Sequence, residues 1–248
     1  MSTPPVRGGI ARRGLHAQVV DTVGHRIVVG ELEPGSVLDL GALEAEFGVS
    51  HTAMREAIKV LTAKQLLDAR PKLGTYVVPR VHWNLLDPDV MAWRDADVRL
   101  QEELADARVM MEPAAARLAA MRANEADLER LRVALELMGT GLDDARSASD
   151  DRWDDVVDAD VEFHAAIASA TGNELFERLQ RILVPAMRAR DKAILPKHHD
   201  VDFIEHHRNV LDAIAARDPE RAGEAMINLL AQSRRDLASH AGAGSTDR

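Results

Sequence analysis

Cysteine is absent from all 248 residues. Disulfide scaffolds, thiolate zinc sites and cysteine nucleophiles are thereby excluded, and a metal could be held only by His, Asp, Glu or water. Aromatic side chains are scarce, at 3% of the chain, although the hydrophobic fraction reaches 46%. The core must therefore be aliphatic, and the abundance of Ala and Leu favours helices. No apolar run approaches the roughly 18 residues of a membrane span. The opening MSTPPVRGGIARRG has no apolar signal centre. A soluble, cytoplasmic protein with no membrane partner is expected. There is also no phosphate-cradling Gly loop and no nucleophile elbow. The length fits one large domain or two small ones.

Charge is uneven along the chain. The net value of -10 argues against indiscriminate nucleic-acid binding. Residues 1–80 nevertheless carry ten Lys+Arg against eight Asp+Glu, while residues 81–248 carry 21 against 33. A mildly basic first part on an acidic body suits a small polyanion-binding module with a separate partner domain.

Apolar residues at Leu15, Val19, Val20, Val23, Ile27 and Val28 have helical spacing. Pro34-Gly35 then marks a turn. Leu40 to Phe47 reads as a short second helix, Gly48 as its stop and Ser50 as the cap of a third helix over 51–66. LLDARPKLGTYVVP gives two short strands around a Pro/Gly turn. The order predicts a winged helix-turn-helix. Beyond it the patterning is helical throughout, with helices expected near 82–94, 97–121, 124–142, 150–170, 173–195, 200–216 and 218–240. The fold class is mainly α: an N-terminal winged helix-turn-helix followed by an all-helical bundle domain. The expected divisions are a flexible N-terminus at 1–13, the DNA-binding domain at 14–79, a linker helix at 80–96, an effector-binding and dimerisation domain at 97–240 and a disordered tail at 241–248.

The second helix of a helix-turn-helix pair presents its N-terminal residues to base edges in the major groove. Here that segment begins Ser50-His51-Thr52-Ala53-Met54-Arg55. Ser50 and Thr52 can donate to phosphates or bases, and Arg55 can reach a guanine edge or clamp a phosphate. His51 can do either. The wing offers Arg70, Lys72 and Gly74 to the DNA backbone. In the second part, ADVEFHAAI sets Asp160 and His164 four apart on one helix face, a usable half-site for a divalent metal. A helix-surface ion pair is the alternative. His207 lies near the apolar stripe of Ile204, Val210, Leu211 and Ile214. The HHD at 198–200 reads as a solvated loop.

EPGSVL, FGVSHTAMREAIKVLTAKQLL and RPKLGTYV resemble the DNA-binding domain of the GntR family of bacterial transcription regulators. DARVMMEPAAARLAA, DVEFHAAIASATGN and EHHRNVLDAIAARD resemble the helical effector domain of that family's fatty-acid-regulator subfamily. RVHWNLLDPDVMAW, at 80–93, is similar to the junction of galactonate-operon repressors. One wing and helix read too few bases for useful specificity, so a homodimer on a pseudo-palindromic double-stranded operator is expected. The resemblance implies an effector domain that responds to a small ligand. It also implies a metal site at Asp160, His164 and His207, with Zn²⁺ the first choice and Ni²⁺ or Mn²⁺ open. Leu229 stands where many relatives carry a further His. Arg108 matches an arginine lining the effector cavity, the alternative being a surface ion pair with Glu112 or Asp106, and Asn228 is expected to face that cavity. A guanidinium fork suits a small carboxylate effector such as a sugar acid. His51, Ala53 and Gly41 depart from the family pattern. A metal-dependent hydrolase fused to a winged helix is the enzymatic alternative.

Overall fold

A computed structural model describes residues 15–94, 97–147, 153–196 and 202–243. The expected flexible N-terminus at 1–13 and the loop at 198–200 lie outside the described residues. So does 244–248 of the expected tail, whereas its first three residues belong to the last helix, Pro219–Ala243. The chain divides into two compact units, one ending at Arg94 and one beginning at Asp95.

In the first unit α1 (Leu15–Val28) is followed by α2 (Leu40–Phe47) and α3 (His51–Ala63), then by β1 (Leu67–Arg70) and β2 (Gly74–Val77). Local chemistry sets each boundary. Asp39 caps α2 by accepting from the Ala42 N–H, and Gly48, at φ 61°, returns its own N–H to the Glu44 carbonyl. That left-handed stop is cheap for glycine and costly for other residues. Ser50 then caps α3, accepting from the Ala53 N–H. The strands pair antiparallel, with Leu67 opposite Val77 and Arg70 opposite Gly74. Residues 35–38 add backbone hydrogen bonds to β2, with Val37 bridging to Tyr76.

Val19, Val23 and Ile27 of α1 pack with Met54, Ala57 and Leu61 of α3, and with Leu66, Leu67 and Val77. Each fully buried side chain of this kind contributes about 1.5–3 kcal/mol. Trp83, Val90 and Trp93 close the same core. The expected linker helix at 80–96 is not continuous. A 3₁₀ turn covers Arg80–His82, and the helix proper, α4, spans only Pro88–Ala92. Pro88 disfavours helical backbone at the residue before it. Asp87 instead caps α4 through the Asp89 and Val90 N–H groups. Lys64 reaches Asp87 and Asp89 at 2.8 and 2.6 Å, fixing this segment to the first unit.

The second unit is helical: α5 (Val98–Arg122), α6 (Glu125–Ser147), α7 (Trp153–Ala170), α8 (Glu174–Ile194), α9 (Phe203–Ala215) and α10 (Pro219–Ala243). Pro113 and Pro185 each stay inside one helix, α5 and α8. The core is rich in alanine, including Ala115, Ala116, Ala119, Ala120, Ala166 and Ala213, with Phe163 its one aromatic ring buried below 2% exposure. Twelve of the eighteen residues of α7 are buried, Asp160 and His164 among them. Asp154, Asp155, Asp158 and Glu162 take its exposed positions, whereas Asp160 and His164 fall on the buried ones.

A methyl group at Gly24 on α1 would overlap the buried Trp93 ring, whereas one at Gly139 on α6 would meet nothing within 4 Å. Gly24→Ala should lose about 1–3 kcal/mol by overpacking. Gly139→Ala should gain about 0.5–1 kcal/mol from helix propensity. Chemical denaturation of the two variants reads both signs.

Candidate functional site

Thr52 and Arg55 are exposed on the first turns of α3, three residues apart and so on one face. Ser50 is exposed, and its hydroxyl is engaged as the α3 cap. His51 lies with Nδ1 2.7 Å from Glu44 Oε1, which ties its ring to α2. In the wing Arg70 stacks over the Tyr76 ring, 4.9 Å from its centroid, while Tyr76 donates its phenolic O–H to Asp68. Lys72 adopts φ 69° and Gly74 φ 96°. The left-handed conformation at Lys72 holds an exposed cation at the tip of the turn.

In the second unit α7 brings Asp160 and His164, and α9 brings His207, into one buried group. Asp160 is 5% exposed, His164 3% and His207 1%, so the surface ion-pair alternative does not apply. His207 Nδ1 lies 2.8 Å from the Phe203 carbonyl oxygen. A carbonyl only accepts, so Nδ1 carries a proton. The Nε2 of the same ring sits 2.9 Å from Asp160 Oδ1. His164 has the same polarity. Its Nε2 lies 3.1 Å from Arg108 Nη2, which can only donate, and its Nδ1 faces Glu112 Oε2 at 2.8 Å. The second oxygen of Asp160 is 3.9 Å from His164 Nε2.

Two imidazoles and one carboxylate are thus gathered in one buried group. The three donor atoms lie within 4.8 Å of one another. A tetrahedral ion with bonds of about 2.1 Å separates its ligand atoms by about 3.4 Å. The observed 2.9 and 3.9 Å bracket that edge. Each imidazole also has its other nitrogen against a backbone carbonyl or a carboxylate, the usual arrangement behind metal-bound histidine. The residues fit a divalent cation, with Leu229 lining the cavity beside them and adding no ligand.

The charges around the cluster are buried as well. Arg108 on α5 is 3% exposed and pairs with Glu112 at 2.7 Å. Asp106 pairs instead with Arg234 at the surface. Burial alone would push the Glu112 carboxyl up, but Arg108 and His164 beside it hold it down at about 2. Asp160 likewise resists burial, held far below the usual carboxylate range by His207, His164 and Arg108. On α8, Arg190 and Asp191 are 5% and 4% exposed and paired at 2.8 Å. Burial, reinforced by the Asp160 charge, pushes the Asp191 carboxyl up to about 6.

Arg108, Asp160, His164, Arg190, Asp191 and His207 line one cavity of about 40 Å³. Asn228 does not. It is exposed and lines a separate groove with His206 and Arg235. The buried stripe of α10 runs through Ala222, Met226, Leu229 and Leu230, and Asn228 falls outside that phase. Glu112, Arg190 and Asp191 were not singled out as site residues. For Asp191 the signal is periodicity: it shares the inward stripe of α8 with Gln180, Met187 and Ile194.

A winged helix-turn-helix joined to a helical domain with a charged internal cavity defines a ligand-responsive DNA-binding regulator. The sequence comparisons agree. Residues 15–77 match the gntR family of bacterial regulatory proteins, and residues 103–232 match the FCD domain. The chain is 32% identical to the galactonate operon transcriptional repressor of Escherichia coli K12, over 89% of this chain and 95% of that protein. It is 33% identical to the regulator LutR of Bacillus subtilis, over 80% and 90% of the two chains. Two solved structures share the fold: E. coli McbR/YncC (21% identity, TM-score 0.51, 91% of this chain and 98% of that one) and Lar, which controls expression of the Listeria monocytogenes agr system (20% identity, TM-score 0.64, 92% and 98%). The chain belongs to the GntR family of transcription regulators and carries an effector-binding FCD domain. This is a family of regulators, not of enzymes.

The Asp191 carboxyl gives a pH signature. An unfolded Asp titrates near 3.9, the folded one near 6. The folded state thus holds the proton more tightly, and the stability it confers is lost as pH rises through that window. In chelator-treated protein, raising the pH from about 5 to about 7 should lower wild-type stability relative to Asp191→Asn by about 1 kcal/mol. Denaturant unfolding at the two pH values checks the sign.

Proposed function

We propose that this chain is a cytoplasmic, homodimeric transcription repressor of the fatty-acid-regulator subfamily that releases a pseudo-palindromic operator when a small carboxylate binds its helical domain. The observation that carries the reading is the buried group of Asp160, His164 and His207 in a cavity that also receives Arg108. Asp160, His164 and His207 would hold a divalent ion, Zn²⁺ first, with Ni²⁺ or Mn²⁺ as alternatives. Bound there, the ion supplies a Lewis-acidic anchor for the oxygen atoms of the effector. With three protein ligands and Leu229 in place of a fourth, coordination positions stay open for those oxygens.

Arg108 completes the recognition of the acid. In this structure one arm of its guanidinium meets His164 while Nε stays on Glu112. Release of the His164 contact turns that arm to a carboxylate without leaving the guanidinium unpaired, because Glu112 remains. The galactonate operon repressor and the other relatives make a sugar acid the first effector to test. On DNA, Ser50, His51, Thr52 and Arg55 address the major groove, and Arg70, Lys72 and Gly74 bring the wing to the backbone. One such head reads few bases, so two on a symmetric site supply the specificity. The effector and the operator must favour different arrangements of the protein, with segment 79–97 as the coupling element.

His164→Ala should abolish stoichiometric metal binding and the effector response while leaving operator affinity within about threefold. Metal analysis and a gel shift on the upstream intergenic DNA, with and without D-galactonate and chelator, read these outcomes together. Wild-type protein that takes up no metal after reconstitution would defeat the metal site. Arg55→Ala should cost about 1–3 kcal/mol of discrimination between operator and scrambled DNA if Arg55 reads a base. An equal loss on both DNAs would make it a phosphate contact.

A further inference from the structure

We infer that the Arg190–Asp191 pair on α8 is a hydroxyl-reading subsite of the effector cavity, so that the acid bound there is a polyhydroxylated one. The inference rests on the effector-site reading above and deepens it. Both side chains are more than nine-tenths buried and line the cavity that holds Asp160, His164, His207 and Arg108. Their mutual contact uses only part of each. Arg190 Nη1 donates to Asp191 Oδ1 at 2.8 Å, and Nη2 donates to the Ser233 carbonyl at 2.7 Å and to the Ser233 hydroxyl. Arg190 Nε and Asp191 Oδ2 have no hydrogen-bond partner.

A buried donor and a buried acceptor left unmatched are rare and costly. Ser233 and the pair itself hold the two side chains in place, so they cannot turn to solvent for relief. The chemistry of these two groups selects their partner. A hydroxyl is donor and acceptor at once, and satisfies Nε and Oδ2 together. A second carboxylate would answer Nε but face the Asp191 charge. An ammonium would answer Oδ2 but face two guanidinium groups. A methylene answers neither and leaves both unmatched. Sites that hydrogen-bond a ligand hydroxyl discriminate strongly against analogues lacking it, because the protein groups are then stranded.

The test is calorimetric titration of the Zn²⁺-reconstituted full chain with D-galactonate, D-gluconate, hexanoate and glutarate, in wild type and Asp191→Asn. Wild type should bind at least one hydroxylated acid about 10- to 100-fold more tightly than hexanoate or glutarate. In Asp191→Asn that preference should collapse to within about threefold, with hexanoate affinity unchanged. Ser233→Ala, which keeps both members of the pair, should weaken the preference in the same direction and guards against an Asp191→Asn protein that fails to fold. Acids that bind wild type with no preference for hydroxyls would overturn the subsite and leave the effector site standing. A preference that survives in Asp191→Asn would also overturn it. If no acid of any class binds the metal-loaded wild type, the effector-site reading falls and this subsite falls with it.

Discussion

Ionisable groups buried in an alanine-lined bundle persist only when each is answered by another, and the helical unit is arranged around that requirement. The effective cost of removing an ion from water inside a protein is several kcal/mol. Here Arg108, Glu112, Asp160, Asp191 and Arg190 are all nearly inaccessible, together with two imidazoles. They come from four helices, α5, α7, α8 and α9, and α10 adds Ser233. Arg108–Glu112 on α5 and Arg190–Asp191 on α8 pair within their own helices, whereas Asp160, His164 and His207 are answered across helices. The bundle holds its charges by sharing them, which is also what gives a bound ligand leverage over several helices at once.

The same requirement explains the polarity of the two histidines. Each has one nitrogen against an oxygen that orients it, the Phe203 carbonyl for His207 and the Glu112 carboxylate for His164. Each turns its other nitrogen inward, His207 Nε2 to 2.9 Å from Asp160 Oδ1 and His164 Nε2 to 3.1 Å from Arg108 Nη2. Arg108 supplies the nearest fixed positive charge, through His164. A cation placed among the three side chains would answer all of them. The FCD assignment gives this constellation its context, since such domains bind effectors. The winged unit is organised differently. Its exposed Thr52, Arg55, Arg70 and Lys72 surround an aliphatic core in which only Tyr76, Trp83 and Trp93 are buried aromatics.

Much of this was legible in the sequence because it depends on local rules. Gly48 and Ser50 punctuate α2 and α3 through a left-handed stop and a side-chain cap, and the structure places both there. The spacing of Asp160 and His164 sets them on one face of α7. Other features depend on tertiary context. The segment after Val78 reads as helical from its apolar residues, yet Asp87-Pro88 restarts the helix and leaves only five residues of α4. The resemblance points Asn228 at the cavity, whereas helical phase puts Leu229 there. The ion pair between Arg108 and Glu112 was visible as an i, i+4 spacing, but its burial was not, because α5 has no sharp apolar stripe to reveal which side faces inward. Arg190 and Asp191 are adjacent opposite charges, a pattern that ordinarily sits at the surface.

The central claim is that Asp160, His164 and His207 form one cation site whose occupation detaches Arg108 from His164. Anomalous diffraction at the metal edge, from crystals of the Zn²⁺-reconstituted protein, tests it most directly. The account predicts one strong peak about 2.0–2.2 Å from an Asp160 oxygen and from both Nε2 atoms, with the Arg108 guanidinium moved off His164. Reconstituted crystals with no peak at these residues, and Arg108 still donating to His164 Nε2, would contradict it.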